Sequence, residues 1–135
     1  MSVLKKAAAV IAGFIVASIV MMIVEFINGR VLYPDLAKAA EGVTDPEVIR
    51  GIMARAPVGA FLVVLLGWLL GGLAGGWSAT RIAGDGSLRC GVILGALLTL
   101  AGVANNLMLP PPLWFWVASL LVLFPSAYFG ARLAK

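Results

Sequence analysis

Four long apolar segments account for most of this chain and limit what it can fold into. They cover residues 7–27, 58–80, 90–109 and 113–131. The hydrocarbon core of a bilayer is about 30 Å thick, so a helix needs about 20 mainly apolar residues to cross it. Each segment meets that length. The sequence therefore predicts an all-α, polytopic membrane protein with four transmembrane helices, in a single integral membrane domain over residues 1–135.

The first apolar segment also resembles a signal peptide, because Lys5 and Lys6 precede it. Its apolar run is longer than the roughly 7 to 15 residues of a signal's hydrophobic region. We therefore expect a retained first transmembrane helix.

Residue types with catalytic or ligand chemistry are scarce. Charged residues make up 12% of the chain, there is no histidine, and Cys90 is the single cysteine. Haem and zinc sites need sets of His or Cys, and activation of a serine nucleophile needs a base such as histidine. The sequence thus predicts a protein that is not an enzyme and has no metal and no cofactor.

The basic residues predict the orientation in the membrane. Six lie at one side of the four predicted spans, namely Lys5, Lys6, Arg81, Arg89, Arg132 and Lys135. Four lie at the other side, namely Arg30, Lys38, Arg50 and Arg55. Since cytoplasmic loops carry an excess of Lys and Arg, we expect both termini in the cytoplasm. Basic residues divided between two membrane faces form no single footprint for nucleic acid, so no nucleic-acid partner is expected.

Glycines follow a helical spacing in the second apolar segment. Gly67, Gly71 and Gly75 share one face of a helix, and Gly72 and Gly76 form a second row beside it. Such rows let a neighbouring backbone approach closely in a membrane. They predict a helix-packing face, or glycine zipper, within the bundle; a subunit interface or the wall of a narrow path are the alternatives. Glycines of the third segment are spaced to approach this face: Gly91, Gly95 and Gly102.

Polar residues inside two of the predicted spans form the candidate site. Glu25 lies eight residues beyond Ala17, so it stands about 12 Å from the bilayer midplane if the first span is centred there. Asn28 shares its helix face, and the third span brings Asn105 and Asn106 to the same depth. Unpaired amides cost free energy in a region with little water. We predict one polar intramembrane cluster of these four residues, acting as glue between helices or, alternatively, as a binding or proton-exchange site.

The segment of residues 31–57 separates the first two spans. It contains an alanine-rich helical pattern that stops at Gly42, then a capping-box pattern from Thr44 to Glu47. The helix that this pattern opens has apolar residues on one face: Val48, Ile49, Ile52 and Met53. The sequence predicts a short amphipathic helix on the outer surface, resting on the membrane or capping the bundle.

Several short motifs, together with the four-span plan, carry a resemblance to a known group of proteins. They are Glu25, Asn28, Tyr33-Pro34, Ala74-Gly75-Gly76-Trp77 and Arg81-Ile82-Ala83. With them the chain resembles small uncharacterised four-helix bacterial inner-membrane proteins. The resemblance implies a multi-pass protein of the bacterial inner membrane and supplies no activity.

Small multidrug-resistance transporters are a second comparison, with four short helices and a glutamate in the first. This chain departs from them, because Glu25 is too near the outer end of its span and residues 31–57 separate the first two spans.

Two functions follow as expectations. The first is a non-catalytic membrane protein that self-associates as a homo-oligomer or serves as an accessory subunit of a larger membrane complex, with the lipid bilayer as its constant partner. The alternative is a small proton- or ion-coupled transporter or channel that uses Glu25. A transporter needs a water-accessible cavity that reaches Glu25, whereas a packing protein buries its polar cluster and leaves the bundle solid.

Overall fold

The computed structural model describes residues 3–135, and that part of the chain is helical, with no β-strand. The helices are α1 (Val3–Ile27), which continues through a π-helical turn (Asn28–Leu32), α2 (Pro34–Ala40), α3 (Pro46–Arg55), α4 (Val58–Ala83), α5 (Arg89–Met108) and α6 (Leu113–Ala134). Four of these helices, α1 with its π-helical turn, α4, α5 and α6, are long and apolar enough to cross a membrane. The predicted all-α class and the four apolar helices are thereby confirmed.

Helix α4 is at the centre of the bundle. It packs against α1, α5 and α6, while α5 also contacts both α1 and α6. Helix α4 is capped at its C-terminus by Gly84, whose φ of 68° is in the left-handed region that glycine adopts without strain. The short helices α2 and α3 lie in the connection between α1 and α4, so they mark one end of the bundle. We call it the α2–α3 end; the chain termini lie at the opposite end.

The first glycine row of α4 faces α1. A Cβ atom on Gly75 would stand 2.7 Å from the carbonyl oxygen of Gly13, and one on Gly71 would stand 2.9 Å from that of Ala17. Real Cβ atoms do not approach backbone oxygens so closely. Glycine is therefore required at these two positions for α1 and α4 to pack as they do.

The second glycine row of α4 faces α6 instead. A Cβ atom on Gly76 would overlap the carbonyl oxygen of Ala127, and one on Gly72 would overlap the hydroxyl of Ser126. The two rows are thus used by two different helices of the same chain.

The glycines of α5 pack most closely against α6 rather than against the glycines of α4. A Cβ atom on Gly91 would overlap the side chain of Ala131, and one on Gly95 would lie 3.0 Å from the Phe124 ring. Both of these neighbours belong to α6. A Cβ atom on Gly91 would also lie 3.2 Å from Oγ1 of Thr80, and one on Gly102 would lie 3.4 Å from the Trp68 ring, so these two glycines approach α4 as well. The rotation of α5 about its axis, which local spacing does not fix, turns this face to α6.

Helix α3 begins one residue later than the capping-box pattern predicts. Asp45, rather than Thr44, is the N-cap, and its side chain accepts a hydrogen bond of 3.0 Å from the backbone N–H of Glu47. Pro46 then occupies the first helical position, where its missing N–H has no helical partner in any case. This placement of the proline favours Asp45 as the cap.

Candidate functional site

Glu25 lies near the end of α1, one turn before the π-helical turn. Its side chain is exposed on the surface of the bundle, whereas Asn28 is buried. The π-helical turn is closed by a hydrogen bond of 2.8 Å from the backbone N–H of Tyr33 to the carbonyl of Asn28. Single π-helical turns inside α-helices are frequent at functional sites.

Asn28 connects α1 to α4. Its Nδ2 donates to the carbonyl oxygen of Ala60 at 3.3 Å and, more weakly, to Oε1 of Glu25 at 3.5 Å. Both partners are acceptors, so the orientation of the amide is determined by its contacts. The Oδ1 atom is then left buried without a hydrogen-bond partner. A buried acceptor in this state is unfavourable by about 1 to 3 kcal/mol until a donor reaches it.

Asn106 takes part in a different interhelical contact from that of Asn28. It is 1% exposed, and its Nδ2 donates to the Ser119 hydroxyl at 3.0 Å. The hydroxyl in turn donates to the carbonyl of Trp116 at 3.1 Å. Asn106 therefore joins α5 to α6.

Asn105 lies beside a groove that Glu25 also lines. No hydrogen bond connects these two side chains within residues 3–135. The four predicted site residues thus separate into two groups. Glu25 and Asn105 line one cavity, Glu25 and Asn28 line another, and Asn106 lies at the contact with α6.

The groove runs between α1 and α5 and encloses about 300 Å³. Its walls are Phe14, Ser18, Met21, Met22 and Glu25 of α1 and Leu98, Ala101, Gly102 and Asn105 of α5, and its floor is Trp68 of α4 and Leu123 of α6. We call it the α1–α5 groove. Met22 and Ala101 are exposed, so the groove opens sideways on the surface of the bundle. Its polar residues Glu25 and Asn105 lie toward the α2–α3 end, and most of the rest is apolar.

A second cavity of about 200 Å³ lies beneath α2 and α3. We call it the vestibule. Glu25, Asn28, Ala60 and Phe61 line it from the bundle, and apolar residues of the connecting segment, among them Ile49, Ile52 and Met53, line it from α2 and α3. Glu25 is the one side chain that lines both the α1–α5 groove and the vestibule.

Glu25 has no basic partner in the described part of the chain. Arg30 stacks over the ring of Phe26, with 5.4 Å between the guanidinium carbon and the ring centroid. The ion pair between Arg50 and Glu47, at 3.7 Å, lies on α3 and is exposed. The carboxylate of Glu25 is therefore compensated by a single long hydrogen bond from an amide.

The described residues hold no group of three or more His, Cys, Asp or Glu side chains that could bind a metal ion. The side chains around the two cavities supply hydrogen-bond acceptors: the carboxylate of Glu25, the unpaired Oδ1 atom of Asn28 and the amide oxygen of Asn105. Such a set binds a cation or an N–H donor.

No protein-family model, curated protein or solved structure matches this chain.

Sequence reasoning missed Ser18, Trp68 and Ser119. Ser18 had a usable signal, because it lies seven residues before Glu25 and so two turns away on the same helix face. No sequence signal pointed to Trp68 or Ser119, because their roles depend on which face α4 and α6 turn inward.

Proposed function

We propose that this chain is a non-catalytic membrane protein that binds a cationic ligand at Glu25, as the binding step of a small ion-coupled transporter. One observation carries the proposal: Glu25 is exposed, has no basic partner among the described residues and lines two cavities. An ionisable residue inside a membrane span is a functional candidate by default, and cavities that reach it are what a transporter needs.

The alternative role of Glu25 as glue between helices has less support. Glue requires a contact across helices, and the hydrogen bond of Glu25 goes to Asn28 of its own helical segment. Contacts across helices are made instead by Asn28 with Ala60 and by Asn106 with Ser119.

The packing at the opposite end of the bundle favours a carrier over an open channel. Leu94 and Ala79 are fully buried there, and the glycines of α4 hold α1 and α6 close. Neither the groove nor the vestibule is lined by residues of that end. Passage through the bundle would therefore need a conformational change.

We further propose the setting: the bacterial inner membrane, with both termini cytoplasmic and with α2 and α3 on the outer surface. The distribution of Lys and Arg supports this orientation, and the resemblance to small bacterial four-helix proteins supports the location. Apolar residues of α3, including Ile49 and Ile52, face the vestibule, which supports an amphipathic helix that caps the bundle.

A flux measurement in proteoliposomes tests the proposed function. We expect the wild-type protein to give saturable, pH-dependent flux of Na⁺, K⁺ or ethylammonium, and Glu25→Gln to abolish it while the protein stays folded. Glu41→Gln is the matched control, because Glu41 is an exposed acid that lines neither cavity. Flux equal to that of empty liposomes, or equal flux from Glu25→Gln and the wild type, would contradict the proposal.

An accessory-subunit or self-associating role is the second candidate, and the surface of α1 favours it. Large apolar side chains, among them Ile19, Ile23 and Phe26, line a shallow depression on that surface. The glycine rows of α4 are already used inside the chain, so an oligomer would have to form through other residues. Purification from native membranes in mild detergent, followed by mass measurement of the intact particle, tests this role.

A further inference from the structure

We propose that the α1–α5 groove binds a membrane lipid whose headgroup carries a primary ammonium. The ammonium lies at Glu25 and an acyl chain runs along the apolar part of the groove. This inference rests on the proposed function, since it names the class of cation that Glu25 receives.

The polar end of the groove offers two acceptors, the carboxylate of Glu25 and the side-chain amide oxygen of Asn105. The carboxylate has no basic partner among the described residues. A primary ammonium carries three N–H donors and a positive charge, so it can donate to both groups. A quaternary ammonium, such as choline, has the charge but no N–H donor.

The length of the groove matches one leaflet of a bilayer. Phe14 and Glu25 are eleven residues apart on α1, which corresponds to about 16 Å at 1.5 Å per residue. Half of the hydrocarbon core measures about 15 Å. With Glu25 about 12 Å from the midplane, its backbone lies about 3 Å inside the hydrocarbon edge, so the headgroup settles slightly into the groove to reach the carboxylate.

The shape of the groove selects a lipid over a soluble amine as the source of the ammonium. The groove opens sideways, with Met22 and Ala101 exposed at its walls, and this surface faces the acyl chains in a membrane. Beyond Glu25 and toward Phe14 the lining is mainly apolar, which stabilises a hydrocarbon chain and gives no advantage to a small polar amine. Neither cavity is lined by Lys or Arg, so a headgroup with negative charge and no amine has no counter-ion there.

Quenching of Trp68 fluorescence measures occupancy directly, because Trp68 forms the floor of the groove. Trp77, Trp114 and Trp116 are changed to Phe, and the protein is reconstituted in phosphatidylcholine vesicles. Phosphatidylethanolamine with brominated acyl chains is then compared with brominated phosphatidylcholine and brominated phosphatidylglycerol. We expect brominated phosphatidylethanolamine to reach half-maximal quenching at a mole fraction about tenfold lower than the other two, as gained charge-assisted hydrogen bonds predict.

Two variants, each with a matched control, test the contribution of the headgroup contact and that of the apolar groove separately. Glu25→Gln should remove the preference for phosphatidylethanolamine, and Glu41→Gln should keep it. Ala101→Leu should fill the groove and weaken quenching by all three lipids. Ala104→Leu is its matched control, since Ala104 is also exposed on α5 but does not line the groove.

Native mass spectrometry of the protein with all its tryptophans gives the same comparison if the three Phe substitutions prevent folding. Equal quenching or equal retention of ethanolamine and choline lipids would overturn the inference. So would a co-purifying polypeptide, in place of lipid, whose binding depends on Glu25. If lipids are not distinguished but ethylammonium still shows Glu25-dependent flux, the lipid inference fails and the proposed function stands. If neither depends on Glu25, both fail.

Discussion

Asn28 is the residue through which the site and the fold are coupled. Its amide joins the π-helical turn to the backbone of α4 at Ala60 and also contacts Glu25. Asn105, in contrast, is only partly buried and makes no described hydrogen bond to Glu25. The two amides lie near the same carboxylate, yet only Asn28 holds helices together.

Asn28→Ala should therefore lower the free energy of unfolding by about 1 kcal/mol, because the hydrogen bond that joins the π-helical turn to α4 at Ala60 is lost, and removal of the unsatisfied Oδ1 atom limits the effect. Asn105→Ala, at a partly exposed position, should change it by no more than about 0.5 kcal/mol. Titration of both variants with denaturing detergent, followed by circular dichroism, measures the difference. Equal effects of the two substitutions would show that the bond from Asn28 to Ala60 does not stabilise the fold.

Helix α4 owes its central position to its two glycine rows. One row admits α1 and the other admits α6, and in both cases the neighbour's backbone oxygens take the space that a side chain would fill. Helix packing in membranes depends on such close contacts, because lipid provides little hydrophobic drive for association. The glycines therefore determine which helices α4 can hold.

Gly75→Ala should destabilise the bundle by about 1 to 3 kcal/mol, since the new methyl group would stand 2.7 Å from the carbonyl oxygen of Gly13. Gly51 in α3 provides the opposite case, because the nearest atom to a Cβ there is 3.8 Å away, at the end of the Arg55 side chain. Gly51→Ala should leave stability unchanged or raise it by up to about 1 kcal/mol, as helix propensity predicts. Thermal unfolding in detergent measures both, and a tolerated Gly75→Ala would argue that α1 and α4 are not in close contact.

The whole molecule has a tight end and an open end. Near the termini many of the buried residues are small, such as Ala9, Ala79 and Ala131, and the helices approach closely. Toward the α2–α3 end they include Phe61, Trp68 and Phe115, whose rings pack with centroids 5.3 to 5.5 Å apart. Distances between helix axes follow the size of the side chains at the contact. These large rings fill the contact between α4 and α6 at the end of the molecule where the groove and the vestibule lie.

The proposed orientation makes a prediction for the molecule as a whole. A reporter fused after Lys135 should be cytoplasmic, and one inserted at Gly42 should be outside, because the excess of Lys and Arg lies at the end with the termini. Gly42 suits an insertion, since it is exposed and nothing lies within 4 Å of where its Cβ would be. Reporters that are active on only one side of the membrane distinguish the outcomes. If both reporters were found on the same side, α1, α4, α5 and α6 could not all cross the membrane.

The sequence by itself determined the four apolar helices, the all-α class and the presence of glycine rows on α4. These are local properties, since length, hydropathy and a spacing of three or four residues act within one helix. The start of α3 is also determined locally, but Thr44 and Asp45 were both possible N-caps. The position of Pro46 favoured Asp45.

Only the tertiary structure decided how the polar residues divide. Asn105 and Asn106 are adjacent in sequence and therefore about 100° apart around the helix axis, so the rotation of α5 sends one to the groove and the other to Ser119. That rotation depends on Gly91 and Gly95 fitting against α6, and the floor of the groove is formed by Trp68 of α4 and Leu123 of α6. Both result from side chains far apart in the chain, which local spacing cannot bring together.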